Sequence, residues 1–212
     1  YLAALCEYEL ADRYQRRTQK WLKEAAINVS KTLATLELER FSVKNKSLLA
    51  KLQQDNQWVH HAENVLLMGP SGTGKTHIAS ALLHTLVEQG IRCRLFPAVA
   101  LVQHLQQAKR DLELMAAMTK LDKYRAIVID DIGYVKKTDA ETQVLFEFIA
   151  HRYESGSLII TANQPFSQWD SIFPDSMMTV AAVDRLIHHA SIMELEGGSY
   201  RIEQQRQLES KP

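Results

Sequence analysis

Residues 69–76 read Gly-Pro-Ser-Gly-Thr-Gly-Lys-Thr and satisfy the spacing G-x-x-x-x-G-K-[ST] in full. Glycines in such a run let the backbone curl until successive N–H groups point inward, the geometry that cradles phosphate oxygens. A helix starting just after the loop adds its positive N-terminal end. Lys75 is the group to reach the β- and γ-phosphates, and the Thr76 hydroxyl is the right type to ligate Mg²⁺. Gly69, Pro70, Ser71, Gly72, Thr73, Gly74, Lys75 and Thr76 are thus a candidate nucleotide loop, with ATP and Mg²⁺ as expected ligands. At average residue frequencies the string arises by chance in roughly one chain of this length in a hundred, so its context decides.

Other polar residues end apolar runs. The run 124–131, Tyr-Arg-Ala-Ile-Val-Ile-Asp-Asp, reads as a strand closing on two carboxylates. Asp130 is expected to hold Mg²⁺, directly or through water, and Asp131 to orient and polarise an attacking water. This strand is expected to lie beside the one that feeds the phosphate loop. The run 157–163 ends in Asn163, whose amide can bond the attacking water or the γ-phosphate; a turn-forming Asn ahead of Pro165 is the alternative. Arg185, on a short helix, can stabilise charge on a transferring phosphoryl group from a neighbouring subunit, or else form a surface salt bridge to Asp184 or Glu194. Arg201 is a second, nucleotide-side candidate. His77 either lies near the nucleotide or packs. His60-His61 and His188-His189 are adjacent pairs, and neighbours on a strand or helix point apart, which argues against a shared metal.

The elements that must position these residues are legible from periodicity. Apolar runs at 64–68, 91–96, 126–129, 157–161 and 191–196 read as strands. Helical spacing covers 1–26, 48–57, 77–89 (stopping at Gly90), 98–118 and 139–153, with 28–47 as a polar connector. In 1–26, Leu2, Leu5, Cys6, Leu10, Tyr14, Trp21 and Leu22 fall roughly on one stripe. Strands alternating with helices imply a three-layer α/β fold on a parallel sheet.

The chain has 212 residues, is 46% hydrophobic and 24% charged, and so is neither disordered nor collagen-like. It opens on Tyr1 rather than Met, as a trimmed piece would. No signal-peptide pattern and no membrane-length apolar run is present. Two cysteines, Cys6 and Cys93, are too few for a disulfide framework or structural zinc; two buried thiols in a reducing cytoplasm are expected. The net charge is zero, yet 13–51 holds ten basic residues against three acidic ones. That segment is therefore +7 and the remainder −7. Residues 1–47 read as a basic helical segment and connector, and 48–212 as the catalytic domain. Arg13, Arg16, Arg17, Lys20 and Lys23, interleaved with aromatics, can meet a nucleic-acid backbone; a solvated amphipathic helix against a partner subunit is the alternative.

Four blocks, 63–76 (ENVLLMGPSGTGKT), 124–134 (YRAIVIDDIGY), 158–169 (LIITANQPFSQW) and 183–190 (VDRLIHHA), together resemble the IstB-like family of transposition helper ATPases. These are AAA+ proteins related to DnaC-type replicative helicase loaders. The Gly-Ser-Tyr-Arg ending at 198–201 and, more loosely, Leu-Ala-Asp-Arg at 10–13 are similar too. The resemblance implies a three-layer P-loop NTPase of AAA+ type with little or no C-terminal lid, plus a small helical N-terminal segment. It implies Lys75 and Thr76 on the nucleotide, Asp130 with Mg²⁺, Asp131 as catalytic acid, Asn163 as first sensor and Arg185 as a finger acting in trans within a homo-oligomer. Many AAA+ enzymes carry Glu at the second acidic position; the shorter Asp131 implies slow, switch-like turnover. The implied function is regulatory and lies in the bacterial cytoplasm. The protein would assemble on double-stranded DNA with ATP and assist a DDE-type transposase in target selection, with hydrolysis controlling assembly. A helicase loader is the alternative within the same chemistry. A small-molecule kinase needs an acceptor site and a mobile lid, neither evident here, and a non-hydrolysing nucleotide-dependent module is a third class.

Overall fold

A computed structural model of the chain describes residues 2–133, 138–165, 168–169, 176–200 and 202–203. Its strands are β1 (Asn64–Met68), β2 (Cys93–Pro97), β3 (Ala126–Asp130), β4 (Ser157–Ala162) and β5 (Ala190–Glu194). They form one parallel sheet in the order β2-β3-β4-β1-β5. The helices are α1 (Leu2–Glu24), α2 (Val43–Gln54), α3 (Gln57–His60), α4 (Lys75–Glu88), α5 (Ala98–Arg110), α6 (Leu114–Leu121), α7 (Asp139–Arg152) and α8 (Ser176–Ile187).

The three layers follow from the period-2 alternation of strand side chains, with apolar residues on both faces as a buried parallel sheet requires. Leu66, Met68, Ile127, Ile129, Leu158 and Ile160 face one core, closed by α5, α6, α7 and α8. Val65, Leu67, Ala126, Val128, Ile159 and Met193 face the other, closed by α2, α3 and α4. The last turn of α1 joins this second core through Trp21 and Leu22, with Ala25 just beyond it. A backbone hydrogen bond, Leu95 N–H to Ala25 O at 2.9 Å, ties that end to β2.

Several expectations need correction. β3 does not lie beside β1; β4 is inserted between them, so β4 touches both the loop strand and the acid strand. The helical stretch 98–118 is two helices. α5 ends with Leu112 at φ 58°, where Glu113 N–H bonds Ala108 O and Leu112 N–H bonds Lys109 O. That is a left-handed helix stop formed without glycine. Helix α2 starts at Val43, inside the expected connector, because the Ser42 hydroxyl accepts from Asn45 N–H and caps it. The apolar stripe of α1 packs on the core only at its end, where Trp21 and Leu22 are half-buried; Leu2, Leu5, Leu10 and Tyr14 are exposed. Cys6 is exposed as well, whereas Cys93 is buried, and burial pushes its thiol up to about 12. No helix among the described residues is long and apolar enough to cross a membrane.

Candidate functional site

The strand order reverses at β1. The chain leaves β1 for the far edge at β2 and, after β4, crosses to β5 on the other side. A crevice at the C-terminal ends of the strands is the expected ligand site of such a sheet, and the polar tips of β1, β3 and β4 meet there.

After β1 the chain turns at Gly69, with φ 145°. A Cβ at this position would stand 2.2 Å from Leu195 O, because Leu195 N–H bonds Met68 O at 2.7 Å just past β5. Gly72, at φ 84°, is packed as closely by Ser199, and its carbonyl accepts from Tyr200 N–H at 3.0 Å. The loop is thus held from outside by a segment far away in sequence. Lys75 is buried, and its Nζ donates to Gly69 O and Pro70 O, both at 2.7 Å. The first turn of α4 carries no acidic residue, so nothing on that helix offsets its positive end.

The two acids fall into different environments. The Asp130 carboxylate accepts from Thr76 Oγ1 at 3.0 and 3.2 Å and from Thr161 Oγ1 at 2.6 Å. Asp131 is exposed to the cavity and sits in the left-handed region, φ 64°. Its N–H donates to Thr161 Oγ1 at 2.8 Å, and the next N–H, of Ile132, donates to Thr161 O at 3.0 Å. Thr76 Oγ1 with the Asp130 carboxylate is an all-oxygen donor set at the loop, which suits a hard divalent cation such as Mg²⁺. Asn163 follows β4 by one residue; its Oδ1 is buried and has no hydrogen-bond partner among the described residues.

A cavity of about 300 Å³ opens over the loop. One side is the loop itself from Ser71 to Thr76, with His77 and Asp131. The other comes from the connector (Lys31, Thr35, Leu36, Glu37, Arg40, Phe41) and from Tyr200. Connector and C-terminal segment are joined: Arg40 pairs with Glu203 and stands 5.4 Å from the Tyr200 ring centroid. Glu37 raises the Tyr200 phenol above its ordinary range, and Arg40 opposes it. His77 contacts the connector, the packing alternative, and also borders the cavity. Its Nε2 is 2.9 Å from Thr32 O and 3.2 Å from Thr35 Oγ1, which pins the connector to α4.

The remaining candidates lie elsewhere. Arg185 does not line this cavity; its Nη1 donates to Ala181 O at 2.9 Å and its guanidinium stands 5.7 Å from the Phe146 centroid. It pairs with neither Asp184 nor Glu194 among the described residues. Arg201 falls outside the described residues. On α1, Arg13, Arg16, Arg17, Lys20 and Lys23 are exposed and spaced along one face. Arg13 pairs with Glu9 and Arg16 with Asp12, while Arg17 leans on Tyr14 and Trp21. His188 and His189 do not point apart, because they sit in the turn after α8 rather than on it; their ring centroids are 4.0 Å apart.

Thr161 and the connector residues were invisible as site residues in the sequence. A threonine near the end of an apolar strand reads as ordinary strand composition, and only the pairing β1·β4·β3 brings it to the acids.

Comparison with known proteins matches residues 1–208 to the model of the family described as IstB-like ATP binding protein. An insertion-sequence ATP-binding protein of Sinorhizobium fredii (strain NBRC 101917 / NGR234) is 45% identical over 201 residues, 95% of this chain and 67% of that protein. The IS21 ATP-binding protein of Pseudomonas aeruginosa is 32% identical over 212 residues, 97% of this chain and 77% of that protein. Among solved structures, the DnaC helicase loader aligns with TM-score 0.64 at 18% identity, covering 79% of this chain and 97% of that one. The replication initiator DnaA bound to AMPPCP and single-stranded DNA aligns with TM-score 0.67 at 15% identity, covering 87% of this chain and 56% of that one. At such identities the structural likeness establishes the fold alone, a three-layer α/β fold on a parallel sheet. With the phosphate loop intact and the match running through almost the whole length, the chain belongs to the IstB-like ATP binding protein family.

Proposed function

We propose that this chain is an ATPase that assembles on double-stranded DNA as a homo-oligomer and assists a DDE-type transposase, with hydrolysis controlling the assembly. The observation that carries the ATPase reading is the array Thr76–Asp130–Thr161–Asp131 at the mouth of the phosphate loop. Family membership supports the link to transposition.

In this reading the loop N–H groups and the N-terminus of α4 take the phosphates. Lys75 exchanges its bonds to Gly69 O and Pro70 O for phosphate oxygens, so the ammonium stays paired throughout. Thr76 and Asp130 would hold Mg²⁺, which when bound neutralises charge on the β- and γ-phosphates. Asp131 orients the attacking water and accepts its proton. Asn163 serves as the first sensor, one residue beyond β4; it does not line the cavity, and its Oδ1, buried and unpartnered among the described residues, supports the assignment. Leu36, Phe41 and Tyr200 on the far wall offer an apolar and aromatic surface suited to the base of the nucleotide. Arg185, absent from its own cavity, serves a neighbouring subunit's nucleotide.

The DNA reading is supported by the exposed basic residues of α1 from Arg13 to Lys23, a stretch without an acid, whereas Glu7, Glu9 and Asp12 lie in the first half of the same helix. Arg17, Lys20 and Lys23 have no carboxylate partner among the described residues and are the residues best placed to meet phosphates.

Hydrolysis, nucleotide affinity and sedimentation on duplex DNA, measured for wild type and Arg185→Ala, test the reading. The expected result is oligomers with ATP and fewer with ADP, and hydrolysis lost in Arg185→Ala while monomer nucleotide affinity is kept. An unchanged hydrolysis rate in Arg185→Ala would remove the finger assignment.

A further inference from the structure

We propose that Thr161 is a positioning residue that sets the geometry of both acids at once, and so couples strand β4 to the nucleotide end of the site. The proposal rests on the ATPase reading given above. A threonine hydroxyl has one proton and two lone pairs. Here the proton goes to Asp130 Oδ1 at 2.6 Å, the short distance of a bond to a charged acceptor. A lone pair takes the Asp131 N–H at 2.8 Å. The donor direction is therefore fixed, and Asp130 Oδ1 is committed. Among the described residues Oδ2 receives only the Thr76 hydroxyl, which leaves it the oxygen open to a cation.

The same residue explains the backbone of Asp131. A left-handed φ of 64° is uncommon for a non-glycine residue and persists only where the surroundings impose it. Two successive N–H groups, of Asp131 and Ile132, are both anchored on Thr161, one on its hydroxyl and one on its carbonyl. That clamp turns the chain so that Asp131 faces the cavity while Ile132 is fully buried. Thr161 itself is fully buried, in register with Leu67 one residue before the loop strand ends. Its β-branch restricts χ1, so the hydroxyl cannot swing away without unpacking the strand. Asn163 lies two residues further along the same chain, so a displacement of β4 on nucleotide binding would move sensor and acids together.

The experiment compares wild type with Thr161→Val, Thr161→Ala and Thr161→Ser. Three quantities are read: exchange of the Asp131 amide proton by NMR, Mn²⁺ affinity of the ATP-loaded protein by EPR, and steady-state hydrolysis. Thr161→Val should speed exchange at Asp131 and weaken Mn²⁺ binding and kcat by about 10- to 100-fold, the usual effect of losing a group that orients a metal ligand. KM for ATP should stay within about threefold, since the phosphate loop is untouched. Thr161→Ser, which keeps the hydroxyl, should restore all three. Should Thr161→Val fail to fold, Thr161→Ala carries the same expectations without the added methyl. A folded Thr161→Val or Thr161→Ala with wild-type Asp131 exchange and wild-type Mn²⁺ affinity overturns the proposal. If wild type does not hydrolyse ATP at all, the ATPase reading falls, while the exchange and Mn²⁺ measurements still decide the role of Thr161.

Discussion

The corner where β1, β3 and β4 end and the exposed face of α1 are both rich in polar residues, yet they are built on opposite terms. At the strand ends the ammonium and both acids are held, while Asn163 Oδ1 is buried without a partner among the described residues. Lys75 bonds two carbonyls, Asp130 accepts from the Thr76 and Thr161 hydroxyls, and Asp131 is clamped through its backbone. On α1 no residue is buried, and the charges reach solvent on long side chains, with partial pairing to Glu9 and Asp12. Chemistry needs groups fixed to within a fraction of an ångström. A phosphate backbone needs only positive charge at about the right spacing. The contrast predicts that single substitutions act sharply in the corner and gradually on the helix.

The largest effect is expected at Lys75. Lys75→Ala removes a buried ammonium from the phosphate loop and should weaken ATP binding by about 100-fold or more, read by isothermal titration. Gly72→Ala comes next. A Cβ there would stand 2.1 Å from Ser199 Oγ in a left-handed conformation, so the C-terminal segment must move. Thermal unfolding should show a loss of about 1–3 kcal/mol. On α1, reversing the charges of Arg17, Lys20 and Lys23 should weaken DNA binding stepwise. The slope of log affinity against log salt should fall by about one for each phosphate no longer neutralised. A single lysine there with an effect as large as Lys75→Ala would erase the contrast.

The smallest effect concerns acid stability away from the site. Glu24, at the foot of α1, is held at about 2: burial would raise its carboxyl, but Arg92, Tyr124 and Lys123 outweigh that. A lowered folded value means that the stabilisation is full above the ordinary value of 4.5 and is lost as pH falls through about 2. The stability gap between wild type and Glu24→Gln should therefore be widest near neutral pH and close toward pH 2 in denaturant titrations.

Periodicity and one motif carried much of the fold. β1 runs over 64–68 as read from its apolar run, and the loop and both acids lie at strand ends as expected. The ends of α4 and α5 show where legibility stopped. Both close with the same pair of backbone bonds, Ile91 N–H to Leu86 O and Gly90 N–H to Val87 O in the first, Glu113 N–H to Ala108 O and Leu112 N–H to Lys109 O in the second. The first carries Gly90 at the left-handed position and was readable; the second carries Leu112 and was not. The lateral order of strands was not legible either. Nothing in an apolar run states its neighbours, so the insertion of β4 between β1 and β3, and with it the role of Thr161, emerges only from pairing. The far wall of the cavity was hidden for a related reason. Leu36, Phe41 and Tyr200 reach it by long-range packing of two segments whose regular structure is too short to carry a periodic signal.

The central claim is that the array at the phosphate loop hydrolyses ATP with Asp131 as the water-activating acid. Its most direct test is steady-state hydrolysis together with ATP affinity for Asp131→Asn, which keeps size and shape but cannot take a proton at pH 7. ATP affinity should stay within about threefold of wild type and kcat should fall by about 100-fold or more. Hydrolysis at the wild-type rate in a folded Asp131→Asn protein would contradict it.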